Sequence, residues 1–170
     1  MNETAEGAGN AAATGDPAEG FMALALDQAR QAVIAEEVPI GALLVEAASR
    51  EVLAAAHNLV IAESDPTAHA EMLVLRAAAK ALGAPRLVGC DLYVTLEPCP
   101  MCAQAISFAR IRRLIFGAAD PKGGGVLHGP RIFTQPTCHH RPQVKSGILA
   151  QDCGQLLKDF FRARRRGAGS

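Results

Sequence analysis

Two cysteines separated by two residues lie where a strand pattern gives way to a helix pattern, in segment 94–102. Pro98 cannot occupy a helix interior, whereas Pro100 suits the first helical position, where its missing N–H costs no hydrogen bond. Cys99 is therefore predicted to be the N-cap of the helix, with Cys102 one turn further on. The partial positive charge of a helix N-terminus favours thiolates, which are the form of cysteine that binds metals. The segment is predicted to present two sulfur ligands to one metal ion.

A histidine upstream supplies the nitrogen ligand that such a pair lacks. His69 lies in Thr-Ala-His-Ala-Glu at 67–71. One histidine and two cysteines leave the fourth position of a tetrahedral zinc ion open, as in catalytic sites. Glu71 can reach over that position if both residues occupy the first turn of a helix, and a carboxylate there can take and return a proton of the attacking water. The pattern predicts a zinc hydrolase.

Each half of this pattern has a simpler interpretation when it stands alone. A Cys-x-x-Cys pair at a helix start is also typical of redox proteins, and a histidine near a glutamate is more often structural than catalytic. His-x-Glu followed by Pro-Cys-x-x-Cys, however, is the pattern of zinc nucleobase deaminases, so the combination favours a metal centre. A non-enzymatic zinc or redox module stays open as an alternative. Glu71 distinguishes an enzyme from this alternative, because a structural zinc site needs no carboxylate over an open position.

The composition excludes several other classes of protein. A chain of 170 residues forms one domain with its own core, and a formal net charge of zero argues neither for nor against nucleic acid. The absence of Trp and the single Tyr argue against a broad base-stacking platform. No segment has the length and hydrophobicity of a membrane span or a signal peptide, so a cytoplasmic protein without a membrane partner is expected. Five cysteines, an odd number, fit a reduced compartment, with Cys90 and Cys153 as packed thiols.

Hydrophobic periodicity and turn residues predict helices that alternate with strands. The predicted helices cover about 21–36, 67–82, 100–110 and 152–166, and the predicted strands cover 40–46, 52–58, 91–95 and 113–117. After Asp120 the sequence becomes irregular, and a short strand is predicted at 131–134. The last helix is predicted to bury four apolar side chains: Leu156, Leu157, Phe160 and Phe161.

These elements predict the fold class and the domain boundaries. Residues 1–19 lack hydrophobic periodicity and are predicted to be a disordered tail, as are residues 167–170, which places the folded domain at 20–166. The alternation of strands and helices predicts an α/β fold, a three-layer α/β/α sandwich with a five-stranded mixed sheet. Strand-to-helix junctions share one edge of such a sheet, and both proposed ligand sets fall at these junctions.

The sequence resembles the cytidine deaminase-like superfamily and, within it, the bacterial tRNA-specific adenosine deaminases. The resemblance covers about 21–166, and the zinc pattern alone identifies only the superfamily. The narrower assignment rests on Asp-Pro-Thr at 65–67, Thr-Leu-Glu at 95–97 and Phe-Phe-Arg-Ala-Arg-Arg at 160–165. Further matching positions are 37–42, Asn58, 116–118 and Asp120.

The resemblance implies a cofactor, a reaction and a partner. His69, Cys99 and Cys102 would bind one zinc ion per subunit, and Glu71 would shuttle the proton. Water would attack C6 of a flipped-out adenine, ammonia would leave, and inosine would remain. The expected substrate is the wobble adenosine of a tRNA anticodon stem-loop, and the expected assembly is a homodimer in which both subunits build each site.

The resemblance also implies residues that hold the substrate. Asn58 would hydrogen-bond the purine with help from the backbone at Ala70, Val38 and Leu96 would wall the base pocket, and Asp120 would contact a ribose or the RNA backbone. Without the resemblance, the asparagine and the aspartate are equally typical of turns.

Three arginines near the C-terminus, Arg162, Arg164 and Arg165, are expected to contact RNA phosphates. Taken alone, they are also typical of a solvated helix end whose charge complements the helix dipole. A deaminase of free guanine or cytosine shares the zinc site and stays open as the alternative function. Such an enzyme has no use for the arginine cluster.

The chain departs from the family pattern in two places. Ala119 stands where the commoner members carry an arginine, and segment 123–142 differs in content and length. The adjacent residues Cys138, His139 and His140 cannot easily turn onto one ion, so the segment is expected to shape the rim that faces RNA. An apolar face for the homodimer is expected at three residues of the third helix: Ala103, Ile106 and Phe108.

Overall fold

The computed structural model describes residues 16–167. Of the predicted tails at 1–19 and 167–170, residues 1–15 and 168–170 therefore lie outside the described residues. In chain order the elements are α1 (Pro17–Ile34), β1 (Gly41–Glu46), β2 (Val52–His57), α2 (Ala70–Leu82), β3 (Cys90–Leu96), α3 (Pro100–Phe108), β4 (Arg113–Ala118), a 3₁₀ turn (Ile132–Thr134), β5 (Gln143–Ser146) and α4 (Ala150–Gly167). The strands form one sheet in the order β2-β1-β3-β4-β5. Strand β1 is antiparallel to β2 and β3, whereas β3, β4 and β5 run parallel, which confirms the predicted five-stranded mixed sheet.

Alternate residues of the central strands bury opposite faces of the sheet. Leu44, Leu92 and Leu114 pair across β1, β3 and β4 and belong to the cluster that contains the apolar faces of α2 and α3. The residues next to them along the three strands also pair with one another, and they belong to the cluster that contains α1 and α4. These residues are Leu43, Tyr93 and Ile115. A period of two thus places one helical layer on each face, which confirms the three-layer sandwich.

The fifth strand does not lie where the sequence predicts it. Residues 131–134 were expected to form a strand, but Ile132–Thr134 is a 3₁₀ turn and β5 is Gln143–Ser146. Phe133 is buried in the cluster that contains α3, and this tertiary contact overrides the strand propensity of Ile-Phe-Thr. All four residues of β5 are exposed, so this edge strand lacks the apolar alternation by which strands are recognised.

Helix boundaries differ from the prediction where a side chain caps the backbone. Helix α1 begins at Pro17, inside the predicted tail, because Asp16 Oδ1 accepts a hydrogen bond from the Ala18 N–H at 3.0 Å. Helix α2 begins at Ala70 rather than at Thr67. Asp65 Oδ1 accepts hydrogen bonds from the backbone N–H and the hydroxyl of Thr67, which holds this segment in a turn.

The apolar face predicted for the homodimer is wrong at two of its three residues, and the inward face predicted for the last helix is wrong at Phe161. Ala103 and Ile106 are fully buried within the chain, so they offer no surface to a second subunit, whereas Phe108 is 67% exposed. In α4, Phe160 is buried as predicted, but Phe161 is 42% exposed because it lies on the other side of the helix. Cys90 and Cys153 are buried thiols, as expected. Among residues 16–167, no helix is both long and apolar enough to span a membrane.

Candidate active site

The N-termini of α2 and α3 meet at one edge of the sheet. His69 is the N-cap of α2, with an extended backbone at φ −72° and ψ 150°. Cys99 is the N-cap of α3, at φ −68° and ψ 169°, and Pro100 occupies the first helical turn, which confirms the predicted helix start. Two residues that are two positions apart within a helix point to different faces of it. Because an N-cap residue does not have the helical backbone conformation, this restriction does not apply to His69 and Glu71.

Three ligand atoms converge between these helix starts. His69 Nδ1 lies 3.7 Å from Cys99 Sγ and 3.5 Å from Cys102 Sγ. The three atoms all lie within 4.8 Å of one another. Zinc–nitrogen and zinc–sulfur bonds of ordinary length at a tetrahedral angle separate nitrogen from sulfur by about 3.6 Å. The observed distances therefore fit one zinc ion held by His69, Cys99 and Cys102, with the fourth position open.

The two thiols differ in their readiness to ionise. The pKa of Cys99 falls to about 4 because the Cys102 thiol and His69 hydrogen-bond its sulfur, although burial opposes the shift. The pKa of Cys102 is raised by its hydrogen bond to Cys99 and by burial. One thiolate thus forms at neutral pH, whereas the second proton must be displaced by the charge of a bound cation. Such coupling of deprotonation to binding is a property of metal-binding cysteines.

Glu71 is a buried acid beside these ligands. It lies in the first turn of α2, is 4% exposed, and its carboxyl group interacts with the Cys102 thiol. Burial raises the pKa of Glu71 to about 7, while its own backbone N–H and the neighbouring His69 partly offset the shift. A carboxyl group with this pKa can accept and release a proton at neutral pH. Position and acidity both suit a proton shuttle over an open metal position.

Asn58 is fixed in front of α2 through its amide oxygen. Its Oδ1 accepts a hydrogen bond from the Ala70 N–H at 2.9 Å, and its backbone N–H donates to the Ile40 carbonyl at 3.2 Å. Asn58 is 5% exposed. The Ala70 amide thus orients the asparagine side chain, and the amide NH₂ is the end of Asn58 that a substrate acceptor can meet.

Three other predicted substrate residues share one cleft. Val38, Leu96 and Asp120 line a cleft of about 600 Å³ whose opposite wall is α4. Leu96 ends β3, three residues before the first cysteine ligand in the sequence. Asp120 Oδ1 also accepts hydrogen bonds from the N–H groups of Lys122 and Gly123, as expected for a residue that opens a turn.

A second cleft of about 450 Å³ continues along α4, and we refer to it as the α4 groove. Its lining residues are Lys122, Leu157, Lys158, Phe161, Arg162 and Arg165. Two of the three predicted arginines therefore lie in the groove. Arg164 lies on another side of the helix, where it stacks over Phe160 at 5.1 Å from the ring centroid and donates to the Glu36 carbonyl at 3.4 Å.

Part of this groove was not predicted from the sequence. The sequence does contain a signal for it, because four residues have the i, i+3, i+4, i+7 spacing of one helix face: Lys158, Phe161, Arg162 and Arg165. The signal was obscured because Phe161 was assigned to the buried face together with Phe160. Lys122 comes from the irregular segment and gives no local signal.

The Cys-His-His segment has a structural role. The Cys138 thiol donates to the His140 carbonyl at 3.2 Å, and the Ser107 hydroxyl of α3 donates to the same carbonyl at 2.7 Å. The His140 ring nitrogen Nε2 lies 2.6 Å from the Ile111 carbonyl. These contacts fasten the segment that follows the 3₁₀ turn to the end of α3.

Comparisons with known proteins agree with this geometry. The family model for the cytidine and deoxycytidylate deaminase zinc-binding region matches residues 16–118. The chain is 57% identical over 145 residues to a tRNA-specific adenosine deaminase of Agrobacterium fabrum, covering 85% of this chain and 94% of the relative. It is 47% identical over 146 residues to a tRNA-specific adenosine deaminase of Bacillus subtilis, covering 86% of this chain and 89% of the relative.

Solved structures show the same fold. A structure from studies of A-to-I editing by tRNA:A34 deaminases at the wobble position matches with a TM-score of 0.79 and 56% identity, covering 81% of this chain and 99% of that chain. A guanine deaminase from Bacillus subtilis matches with a TM-score of 0.58 and 29% identity, covering 87% of this chain and 93% of that chain. The chain therefore belongs to the zinc-binding cytidine and deoxycytidylate deaminase family and, within it, to the family of the tRNA-specific adenosine deaminases.

Proposed function

We propose that the protein is a zinc-dependent deaminase that converts the wobble adenosine of a tRNA anticodon to inosine. The observation that carries the proposal is the three-ligand centre with a buried acid beside its open position. High identity to tRNA-specific adenosine deaminases over most of the chain supports RNA adenosine as the substrate.

The reaction is a hydrolysis at C6 of adenine. His69, Cys99 and Cys102 would hold zinc, and the bound ion would make a water molecule acidic enough to attack carbon at neutral pH. The Glu71 carboxylate is proposed to accept a proton from the attacking water and to deliver it to the departing amino group, a role that its burial in the first turn of α2, two residues after His69, allows. A C–O bond forms at C6, the C6–N bond breaks, and ammonia leaves, so that hypoxanthine replaces adenine.

The cleft residues are proposed to hold the flipped-out base. Val38 and Leu96 supply apolar walls, and Asn58, oriented by the Ala70 N–H, donates its amide NH₂ to a purine nitrogen. Asp120 also lines the cleft, where its carboxylate can meet a ribose hydroxyl of the target or of its neighbour. Extraction from a flexible anticodon loop costs less than extraction from a duplex.

The α4 groove is proposed to hold the RNA strand on either side of the target base. It places four cations next to the base cleft, Lys122, Lys158, Arg162 and Arg165, and Leu157 and Phe161 line both clefts. Phosphates require cations, and an exposed aromatic ring offers a stacking face for an unpaired base. We further propose that the protein acts in the cytoplasm as a homodimer, and its molar mass in solution tests the assembly.

The experiment that tests this function is base analysis by mass spectrometry after incubation with an anticodon stem-loop. We expect inosine in a stem-loop with adenosine at the wobble position, and none in a matched stem-loop whose adenosine is moved to the next anticodon position. Free guanine, cytosine and adenosine run alongside. Ammonia released from a free base, with the stem-loop unchanged, would instead establish a small-molecule deaminase.

The role of the α4 groove can be tested by charge removal. We expect the double substitution Lys158→Ala and Arg165→Ala to weaken binding of an inosine-containing stem-loop about tenfold or more. The slope of log affinity against log salt should fall by about one for each cation removed. The measurement is fluorescence anisotropy at several salt concentrations.

A matched control removes the same charge elsewhere. Lys80 and Arg86 are exposed at or beyond the C-terminal end of α2, whereas the active site lies at its N-terminal end. The double substitution Lys80→Ala and Arg86→Ala should leave affinity and salt slope nearly unchanged. Equal losses in the two double variants would contradict the assignment of the groove.

A further inference from the structure

The segment that carries Asp120 donates several hydrogen bonds to one buried carboxylate, that of Glu97. Glu97 follows β3 directly, and its side chain is fully buried. Its Oε1 accepts the backbone N–H groups of Val126, Leu127 and His128 at 3.3, 2.8 and 3.0 Å. Its Oε2 accepts the Asp120 backbone N–H at 3.0 Å and lies 2.7 Å from His128 Nδ1. One side chain thus fixes both ends of residues 120–128, which we call the Asp120 loop.

The arrangement is energetically demanding. A buried carboxylate is costly unless it is hydrogen-bonded, and bonds to an ionised acceptor are stronger than neutral ones. Four backbone N–H groups and the His128 ring nitrogen surround the Glu97 carboxylate, so hydrogen bonds compensate for its burial. The loop is therefore held both by hydrogen bonds to this carboxylate and by the apolar side chain of Val126, which is buried in the cluster that contains α3.

The glycines of the loop make this close approach possible. A Cβ atom on Gly124 would lie 2.5 Å from Glu97 Cδ, and one on Gly125 would lie 2.6 Å from Pro100 Cα, both shorter than real Cβ contacts. The Gly125 N–H donates to the Pro98 carbonyl at 2.8 Å. The loop is thereby held against the same turn that presents the cysteine ligands.

We propose that Glu97 is a positioning residue that sets the distance between the metal centre and the substrate wall formed by the Asp120 loop. The proposal rests on the proposed function, because it takes the cleft at Asp120 as the place where the target nucleotide binds. Leu96 and Cys99 flank the turn that holds Glu97, so one short segment carries a wall of the base pocket, the loop anchor and a metal ligand. A misplacement of about 1 Å in such a wall can cost up to about 100-fold in rate.

Glu97→Gln is the sharp test, because each carboxylate oxygen accepts N–H donors and either orientation of the amide turns an NH₂ group against them. We expect KM for the stem-loop to rise about 10-fold or more with a smaller change in kcat, and zinc to stay at one ion per chain. Hydrogen exchange at the amides of Leu127 and His128 should become faster.

Asp91→Asn is the matched control, since Asp91 is a buried carboxylate at the other end of β3 that pairs with Arg112 and Arg113. It should lower the melting temperature without raising KM. A double-mutant cycle of Glu97→Gln with Asp120→Ala should give less than multiplicative losses, because both changes act on the same wall. Equal KM values for the Glu97 and Asp91 variants, or multiplicative losses in the cycle, would overturn the proposal.

A variant with a smaller disturbance covers the case in which Glu97→Gln fails to fold. His128→Ala removes one of the bonds to Glu97 and is expected to raise KM in the same direction, whereas an unchanged KM would count against the proposal. Wild-type protein that leaves the stem-loop unmodified would refute the proposed function instead. The exchange measurement on the loop amides does not depend on turnover.

Discussion

Glu71→Gln is expected to lower kcat for the anticodon stem-loop about 1,000-fold while zinc remains at one ion per chain. The amide has the shape of the carboxyl group but cannot accept a proton, and general acid–base groups contribute about 10² to 10⁴ in rate. Because Glu71 is nearly fully buried, no solvent base can easily replace it. KM should change little, since the base pocket is left intact.

The measurements for this variant are single-turnover rates and metal content by atomic spectroscopy. Asp91→Asn serves again as the control, as a buried carboxylate whose loss destabilises the fold away from the site. It should retain most of the rate. Loss of zinc from Glu71→Gln with the fold intact would contradict our assignment, because it would make Glu71 a ligand rather than a proton shuttle.

The metal centre could be predicted from the sequence because its geometry is set locally. Pro98 and Pro100 fix where α3 begins, and the start of the helix in turn fixes where Cys99 and Cys102 lie. His69 and Glu71 were expected to share the first turn of a helix, whereas α2 begins three residues later than expected, so His69 is its N-cap and only Glu71 lies in the first turn. Turns and helix caps, which depend on neighbouring residues, can therefore be predicted from one sequence.

The features that the sequence did not predict depend on distant contacts. Phe160 and Phe161 are adjacent and equally apolar. Phe160 is buried beside the end of α1 and under the Arg164 guanidinium, whereas Phe161 lines the α4 groove. From the sequence, the Asp120 loop can be identified only as a glycine-rich irregular segment. Its conformation could not be predicted, because its N–H donors bind Glu97, a residue far away in sequence. The edge strand β5 lacks apolar alternation because both of its faces are exposed.

Cys99→Ala is expected to abolish both zinc binding and deamination. A histidine and one thiolate cannot hold zinc as three ligands do, and the pKa of Cys102 is raised in part by its hydrogen bond to Cys99, so the whole ligand set is coupled. Zinc content should fall from one ion per chain to background, and the rate should fall with it. Added zinc should raise the melting temperature of the wild type but not of the variant, because only a folded site that binds the ion is stabilised by it.

Cys90→Ala is the matched control, since Cys90 is a buried thiol that begins β3 whereas Cys99 follows the end of the same strand. Its removal leaves a small cavity and should cost about 1 kcal/mol in stability, with zinc content and rate retained. The redox alternative predicts a different pattern: an oxidised Cys99–Cys102 pair in the wild type, a rate that depends on thiol reagents, and zinc content that is indifferent to Cys99→Ala. A hydrolase whose thiolates hold a metal should instead lose activity to a chelator and recover it with zinc alone, because deamination by water transfers no electrons.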